Sequence, residues 1–128
     1  MNKITKNNLN NFMEFYNYFH DSYIKKINYD LDKNKIYLFI NVFWVGEPIK
    51  NENNYYETNR TKMKITFTGI KEYRYDSRFS DYIDEAIIEY VELNNKEYIF
   101  FASDEAEPSF CVISDTMEYE EYKENSGI

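Results

Sequence analysis

Residues that build the commonest functional sites are scarce in this sequence. Its 128 residues include one cysteine, one histidine, three glycines and two prolines. A lone cysteine cannot close an intramolecular disulfide, and one cysteine with one histidine cannot supply the usual ligand set of a zinc site. The glycines, at positions 46, 69 and 127, are too far apart to form a phosphate-binding loop. The sequence therefore predicts a protein that holds no metal and no cofactor.

Long apolar stretches are also missing. No window approaches the roughly 18 consecutive apolar residues of a membrane span, and residues 1–8 contain no apolar run typical of an export signal. The single cysteine, Cys111, lies in an apolar run at 110–113, which predicts a buried, structural thiol and not a nucleophile. We therefore expect a cytoplasmic protein.

Aromatic and acidic residues are abundant instead. The chain has 14 tyrosines and 10 phenylalanines, and its net charge is -8 at pH 7. Residues 1–64 carry ten basic and seven acidic side chains, whereas residues 65–128 carry five and sixteen. An acidic surface repels phosphate backbones and anionic lipids, and it attracts basic proteins. We expect a basic protein partner, and neither nucleic acid nor a membrane.

The last part of the chain combines acidic side chains with tyrosines. Carboxylates steer a basic partner toward a surface, and tyrosines supply rigid contact area at low entropic cost. The alternative is a solvated acidic face that only keeps the protein soluble. The candidate partner-binding residues are Asp104, Glu105, Glu107, Asp115, Glu118, Tyr119, Glu120, Glu121 and Tyr122.

Apolar spacing divides the chain into helical and strand-like segments. Apolar residues recur at helical spacing between residues 7 and 19, and they alternate with polar residues in about six later segments. Because the two kinds of segment are segregated, we predict an α+β fold with an N-terminal helix packed on a mostly antiparallel sheet. A second short helix is predicted between residues 76 and 86. Residues 1–117 would form one domain and residues 118–128 a frayed acidic tail.

Two local signals predict special backbone geometry. Gly69 interrupts an alternating strand, which indicates a bulge or a close backbone approach. Asn94 and Asn95 lie between two strand-like segments, and asparagine tolerates the positive φ that a tight hairpin turn demands. We therefore expect a hairpin around these asparagines.

His20, Asp21 and Ser22 follow one another where the predicted helix gives way to a strand. They are the residue types of a Ser-His-Asp catalytic set, but neighbours in sequence rarely point at a common atom. In the alternative, the histidine lies favourably near the negative end of the helix while the other two satisfy backbone donors in the turn. We predict this structural role, and no catalytic residue.

The same step carries a family resemblance. Residues 18–24, Tyr-Phe-His-Asp-Ser-Tyr-Ile, and residues 65–70, Ile-Thr-Phe-Thr-Gly-Ile, resemble small bacterial proteins with a Phe-His-Asp-Ser step before a strand hairpin. Some of those families look like immunity proteins of polymorphic toxin systems. The resemblance spans roughly residues 12–70. It implies a cytoplasmic α+β domain without catalysis that neutralises a cognate toxin, and it carries over no toxin-contact residue.

Three hypotheses for function follow. The first is a non-enzymatic protein-binding domain, an immunity- or antitoxin-type inhibitor of a basic toxin domain. The second is a small-ligand module or an enzyme whose pocket lies near His20, Trp44 and neighbouring tyrosines. The third is an acidic DNA mimic, whose carboxylates would be spaced like phosphates along one surface.

Overall fold

A computed structural model describes residues 2–76, 78, 80–104 and 109–123 of the chain. The described residues form one α-helix, α1 (Leu9–Phe15), and eight strands. The strands are β1 (Asn2–Lys3), β2 (Ser22–Asp30), β3 (Lys35–Lys50), β4 (Tyr56–Tyr75), β5 (Tyr82–Ile83), β6 (Ile87–Leu93), β7 (Lys96–Ala102) and β8 (Phe110–Tyr122).

All eight strands belong to one antiparallel sheet. Its order is β5-β2-β3-β4-β8-β7-β6, and β1 pairs with the later part of β8, beyond the residues that β7 covers. The sheet curls into a half-barrel, and 65% of the structure is strand against 9% helix. The predicted α+β class is therefore wrong: the protein is mostly β, and it is not a helix packed on a sheet.

The N-terminal helix is shorter than its apolar spacing suggested. It ends at Phe15 because Asn17, Tyr18 and Phe19 adopt positive φ angles of 50°, 55° and 56°, which no right-handed helix accommodates. These three residues form a tight turn that still buries Phe19 completely. The turn thus continues the burial pattern of the helix without continuing the helix itself.

The strands extend beyond the apolar patterns that revealed them. β3 continues to Lys50, beyond its apolar alternation, and residues 51–55 link it to β4. β8 runs to Tyr122, and its residues 118–122 pair with β4 where the sequence suggested a frayed tail. Residues 124–128 lie outside the described part of the chain. Hydrogen bonds to a neighbouring strand stabilise these polar extensions, which have no apolar alternation.

The predicted second helix is also absent from the described residues between 76 and 86. Tyr82 and Ile83 form β5, which pairs with the first residues of β2. Ser77 and Phe79 lie outside the described residues. Because Ile83 is fully buried at this sheet edge, its apolar character reflects strand pairing and core packing.

Both predictions of special backbone geometry are confirmed. Asn94 and Asn95 have φ angles of 53° and 66° and join β6 to β7, as a tight hairpin requires. Gly69 has a φ of +74°, and the β4–β8 register shifts just after it, between Ile70 and Glu72. A Cβ atom on Gly69 would overlap the side chain of Asp115.

The core fills the concave side of the curled sheet. Alternate residues of β3 and β4 point into it and are fully buried: Ile36, Leu38, Ile40, Met63, Ile65 and Phe67. From the N-terminal segment, the rings of Phe12 and Tyr16 contact the ring of Tyr119, and Phe19 contacts Phe101. Among the described residues, no helix is long and apolar enough to cross a membrane.

Candidate functional site

The members of the predicted acidic stretch that the structure describes do not all lie on one surface. Successive side chains of a strand point to opposite faces. On β8, Glu118 and Glu120 therefore point outward, opposite Thr66 and Lys64 of β4. Tyr119 points inward, with its ring centroid 4.4 Å from that of Phe12.

Other members of the predicted set are engaged within the protein. The Asp115 carboxylate lies 3.2 Å from Nζ of Lys96. Glu121 accepts a 3.1 Å hydrogen bond from the Tyr16 hydroxyl. Burial of the tyrosine, followed by the charge of Glu121 and this hydrogen bond, raises the pKa of Tyr16.

The ring of Tyr122 packs against Phe39, with centroids 5.9 Å apart. Glu105 and Glu107 lie outside the described residues. Because Lys64 stands directly beside Glu120, the outward carboxylates of β8 do not form the uninterrupted negative row that a DNA mimic requires.

Asp104 instead joins a different group of carboxylates, which lines a cleft of about 450 Å³. We name this the acidic cleft and define it by Asp84, Glu85, Glu89 and Asp104. Among the described residues that line it, none is a lysine or an arginine. The cleft therefore presents four carboxylates, and one of them, that of Asp84, lies 3.9 Å from Nδ1 of His20.

Apolar side chains from the N-terminal segment form the opposite wall of the acidic cleft. Leu9 and Met13 of α1 and Tyr18 of the tight turn line it. The backbone N–H of Ala86 donates a 2.8 Å hydrogen bond to the carbonyl oxygen of Tyr18, which ties the two walls together. The left-handed turn thus positions one side of the cleft against the other.

The His20-Asp21-Ser22 step connects this turn to β3, to β5 and to the segment between β5 and β6. Nδ1 of His20 lies 2.7 Å from the carbonyl oxygen of Asp84, at the edge of the acidic cleft. Because a carbonyl can only accept, Nδ1 carries the proton in this contact. The Ser22 hydroxyl oxygen accepts a 3.2 Å hydrogen bond from the backbone N–H of Phe43 on β3. The histidine and the serine are thus engaged with different elements.

Asp21 is the centre of this arrangement. Its carboxylate accepts hydrogen bonds from the Tyr82 hydroxyl and from Nε1 of Trp44, the latter at 3.2 Å. The bonds from Tyr82 and then Trp44 lower the pKa of Asp21 below its usual value. The same contact with Asp21 raises the pKa of Tyr82 to about 12. We call Asp21, Trp44 and Tyr82 the aspartate latch.

One group of residues here could hold a metal ion. His20, Asp21 and Asp84 each offer a ligand atom, and these atoms lie within 4.8 Å of one another. However, Nδ1 of His20 is engaged by the Asp84 carbonyl, and Nε2 lies 3.3 Å from the Asp21 carboxylate. Since Asp21 also accepts two hydrogen bonds, the His20 ring and the Asp21 carboxylate already have partners in the protein. The arrangement serves as a brace for the turn.

The single cysteine is buried on β8. Cys111 is paired in register with Arg74 of β4, and burial raises the pKa of its thiol. A thiol with a raised pKa forms little thiolate at neutral pH and is a weak nucleophile.

The aspartate latch leads to a testable pH dependence. The pKa of Asp21 is lower in the folded chain than its ordinary value of 3.8. Its ionised form therefore stabilises the fold above about pH 4, and this contribution is lost as the pH falls through the folded pKa. Replacing Asp21 with asparagine is expected to destabilise the protein at pH 7, and the difference from the original protein should shrink toward pH 3. Urea unfolding at several pH values measures this.

Asp32→Asn provides a matched control, because Asp32 is exposed in the β2–β3 turn. Its effect on stability should be small. An Asp21→Asn effect that is equally large at pH 3 and pH 7 would show that ionisation of Asp21 contributes nothing.

Sequence reasoning missed the acidic cleft apart from Asp104. The acidic residues at 84, 85 and 89 were visible as part of an acidic half, but their neighbours in space come from residues 9–18. Comparison with protein-family models, with curated proteins and with solved structures found no match to this chain. The function is therefore inferred from the chemistry of its own side chains.

Proposed function

We propose that this protein is a non-enzymatic protein-binding domain, an immunity- or antitoxin-type inhibitor that captures a basic side chain of a toxin domain in the acidic cleft. The observation that carries the proposal is the cleft itself. Four carboxylates line a concavity of about 450 Å³, and none of its described lining residues is basic.

A lysine or arginine side chain suits both walls of the cleft. Its charged end would lie among Asp84, Glu85, Glu89 and Asp104, where charge-assisted hydrogen bonds are stronger than neutral ones. Its methylene stem would pack along Leu9 and Met13, as long basic side chains do on apolar surfaces. A cation anchored in a pocket is a common hot spot of protein interfaces.

The rest of the surface would assist the encounter. The net charge of -8 attracts a basic partner from a distance and speeds association at low salt. The carboxylates of the cleft would then fix the position of the partner. We further propose that the protein acts in the cytoplasm, where its single buried cysteine, Cys111, stays a thiol.

The test uses the product of the neighbouring reading frame, because inhibitors of this kind are expected beside their toxins. Co-expression is expected to give protection from toxicity and a 1:1 complex that weakens as salt rises. Replacing Glu85 and Glu89 with glutamine should weaken the complex about tenfold or more, which corresponds to roughly 1.4 kcal/mol. Isothermal titration calorimetry measures the affinity.

A matched control removes the same amount of charge elsewhere. Glu118 and Glu120 point outward on β8, and replacing both with glutamine should change the affinity less than about twofold. Equal weakening by both double variants would mean that only total charge matters. Absence of both protection and co-purification would overturn the proposed function.

A further inference from the structure

The convex side of the sheet carries a row of aromatic side chains. Tyr37, Phe39 and Phe43 alternate along β3 with the buried residues of the core, and all three are partly exposed. Two residues along a strand advance by about 6.6–6.8 Å, so Tyr37 and Phe39 are one such step apart and Phe43 lies two steps further along. Apolar rings on the outside of a sheet are costly unless something covers them.

Basic side chains from the neighbouring strands lie over these rings. Nζ of Lys64 is 4.9 Å from the ring centroid of Tyr37 and 5.9 Å from that of Phe39. Nζ of Lys26, on the other neighbouring strand β2, lies 5.9 Å from the ring centroid of Phe39. The guanidinium carbon of Arg60 is 4.2 Å from the ring of Phe43. We call this surface the outer aromatic face and define it by Lys26, Tyr37, Phe39, Phe43, Arg60 and Lys64.

A recess of about 360 Å³ opens at one end of the outer aromatic face. Its lining consists of one acidic, two basic, two aromatic and three other side chains: Asp21, Arg60, Lys62, Tyr23, Phe43, Asn41, Val42 and Thr61. The Tyr23 side chain is 51% exposed, which is unusual for an aromatic residue inside a sheet. The recess thus offers planar surfaces next to cationic groups.

This combination of chemistry selects a ligand that is both planar and anionic. Single-stranded nucleic acid has this character along its whole length: its bases stack on aromatic rings and on arginine planes, and its phosphates lie beside lysines and arginines. The spacing of Tyr37 and Phe39 along β3 is about twice the 3.4 Å rise of stacked bases, and that of Phe39 and Phe43 is about four times this rise. An acidic peptide would meet the cations but would leave the rings without stacking partners.

The net charge of -8 predicted no nucleic-acid partner, but the charge of this face differs from that of the whole protein. The six side chains that define the outer aromatic face include three cations and no carboxylate, whereas Asp21 lines the recess at its end and Glu118 and Glu120 border it on β8. A bound strand would therefore follow β3 and β2, away from β8. We propose that the outer aromatic face binds single-stranded nucleic acid, with bases stacked on the rings of β3. This surface is separate from the acidic cleft, and the proposal does not depend on the function proposed for that cleft.

The experiment measures fluorescence anisotropy of labelled oligothymidine and oligouridine strands of about ten nucleotides, a length within the site sizes of such surfaces. Both are expected to bind the full-length protein at low salt, to dissociate as salt rises, and to bind more tightly than a duplex of equal length. Tighter binding of oligothymidine would identify DNA as the ligand, and tighter binding of oligouridine would identify RNA. No binding of either strand would overturn the proposal.

Two variants locate the binding. Phe39→Ala and Arg60→Gln are each expected to weaken binding about fivefold or more, because each removes a stacking plane or a cation. Arg60 is exposed, so its variant tests the proposal even if Phe39→Ala folds poorly. Tyr55→Ala is the matched control, since Tyr55 is a 72% exposed aromatic residue in the loop after β3. Binding that both variants leave unchanged, or that an oligoglutamate peptide displaces equally well, would overturn the proposal.

Discussion

Replacing Phe101 with alanine is expected to lower the free energy of unfolding by about 3–5 kcal/mol. Phe101 is fully buried, and its ring contacts those of Phe19, Phe67 and Phe110 at centroid distances of 6.4, 5.6 and 5.9 Å. These rings come from the tight turn, β4 and β8. The truncation would therefore leave a cavity where three parts of the fold meet, and none of them can collapse into it alone.

Urea unfolding followed by circular dichroism measures this loss. The neighbouring residue provides the control, because Phe100 lies on the same strand but points to the opposite face and is partly exposed. Phe100→Ala should cost less than half as much. Similar losses for the two variants would contradict the assignment of the concave side of the sheet as the core.

Replacing Gly69 with alanine is expected to cost about 2–3 kcal/mol, for two separable reasons. The φ of +74° strains any residue that has a Cβ atom. The Cβ added to residue 69 would also overlap the Asp115 side chain. It would lie 2.9 Å from the Cβ of Asp115, so rotation of the carboxylate does not relieve the overlap. Displacing Asp115 would disturb its ion pair with Lys96.

A double-mutant cycle separates these two causes. In a chain that already carries Asp115→Ala, the overlap becomes smaller and the backbone strain remains. Gly69→Ala should then cost only about 1 kcal/mol. If the cost of Gly69→Ala is the same with and without Asp115, the close approach of the two residues contributes nothing to it.

The parts of the fold that sequence reasoning predicted depend on local patterns. The β6–β7 hairpin followed from the two asparagines at 94 and 95. Gly69 marked a special backbone position because glycine alone tolerates it freely. In each case the information lies within a few neighbouring residues.

The fold class was mispredicted because its causes are not local. Helical spacing continues through residues 17–19, but the burial of Phe19 comes from a left-handed turn braced by the aspartate latch. Residues 71–75 and 118–122 lack the apolar pattern of a half-buried strand. Both segments nevertheless belong to the long antiparallel pair formed by β4 and β8. Pairing between distant segments, and not periodicity, made the protein mostly β.

The candidate functional site was likewise only partly predictable from the sequence. Concentration of negative charge in the second half was visible in the sequence. Its arrangement was not, because strand alternation on β8 sends Tyr119 into the core and Glu118 outward. The acidic cleft depends on the tight turn bringing α1 against residues 84–89. The outer aromatic face likewise appears only when β2, β3 and β4 are aligned in register.

We propose above that a basic side chain docks in the acidic cleft. The most direct measurement is a titration of the isotope-labelled protein with an arginine-rich peptide, followed by amide chemical shifts. The shifts are expected to concentrate at residues 84–89 and at Asp104, and Glu85→Gln with Glu89→Gln should abolish them. Shifts that centre instead on residues 118–122 of β8, or that persist in the double variant, would contradict the claim.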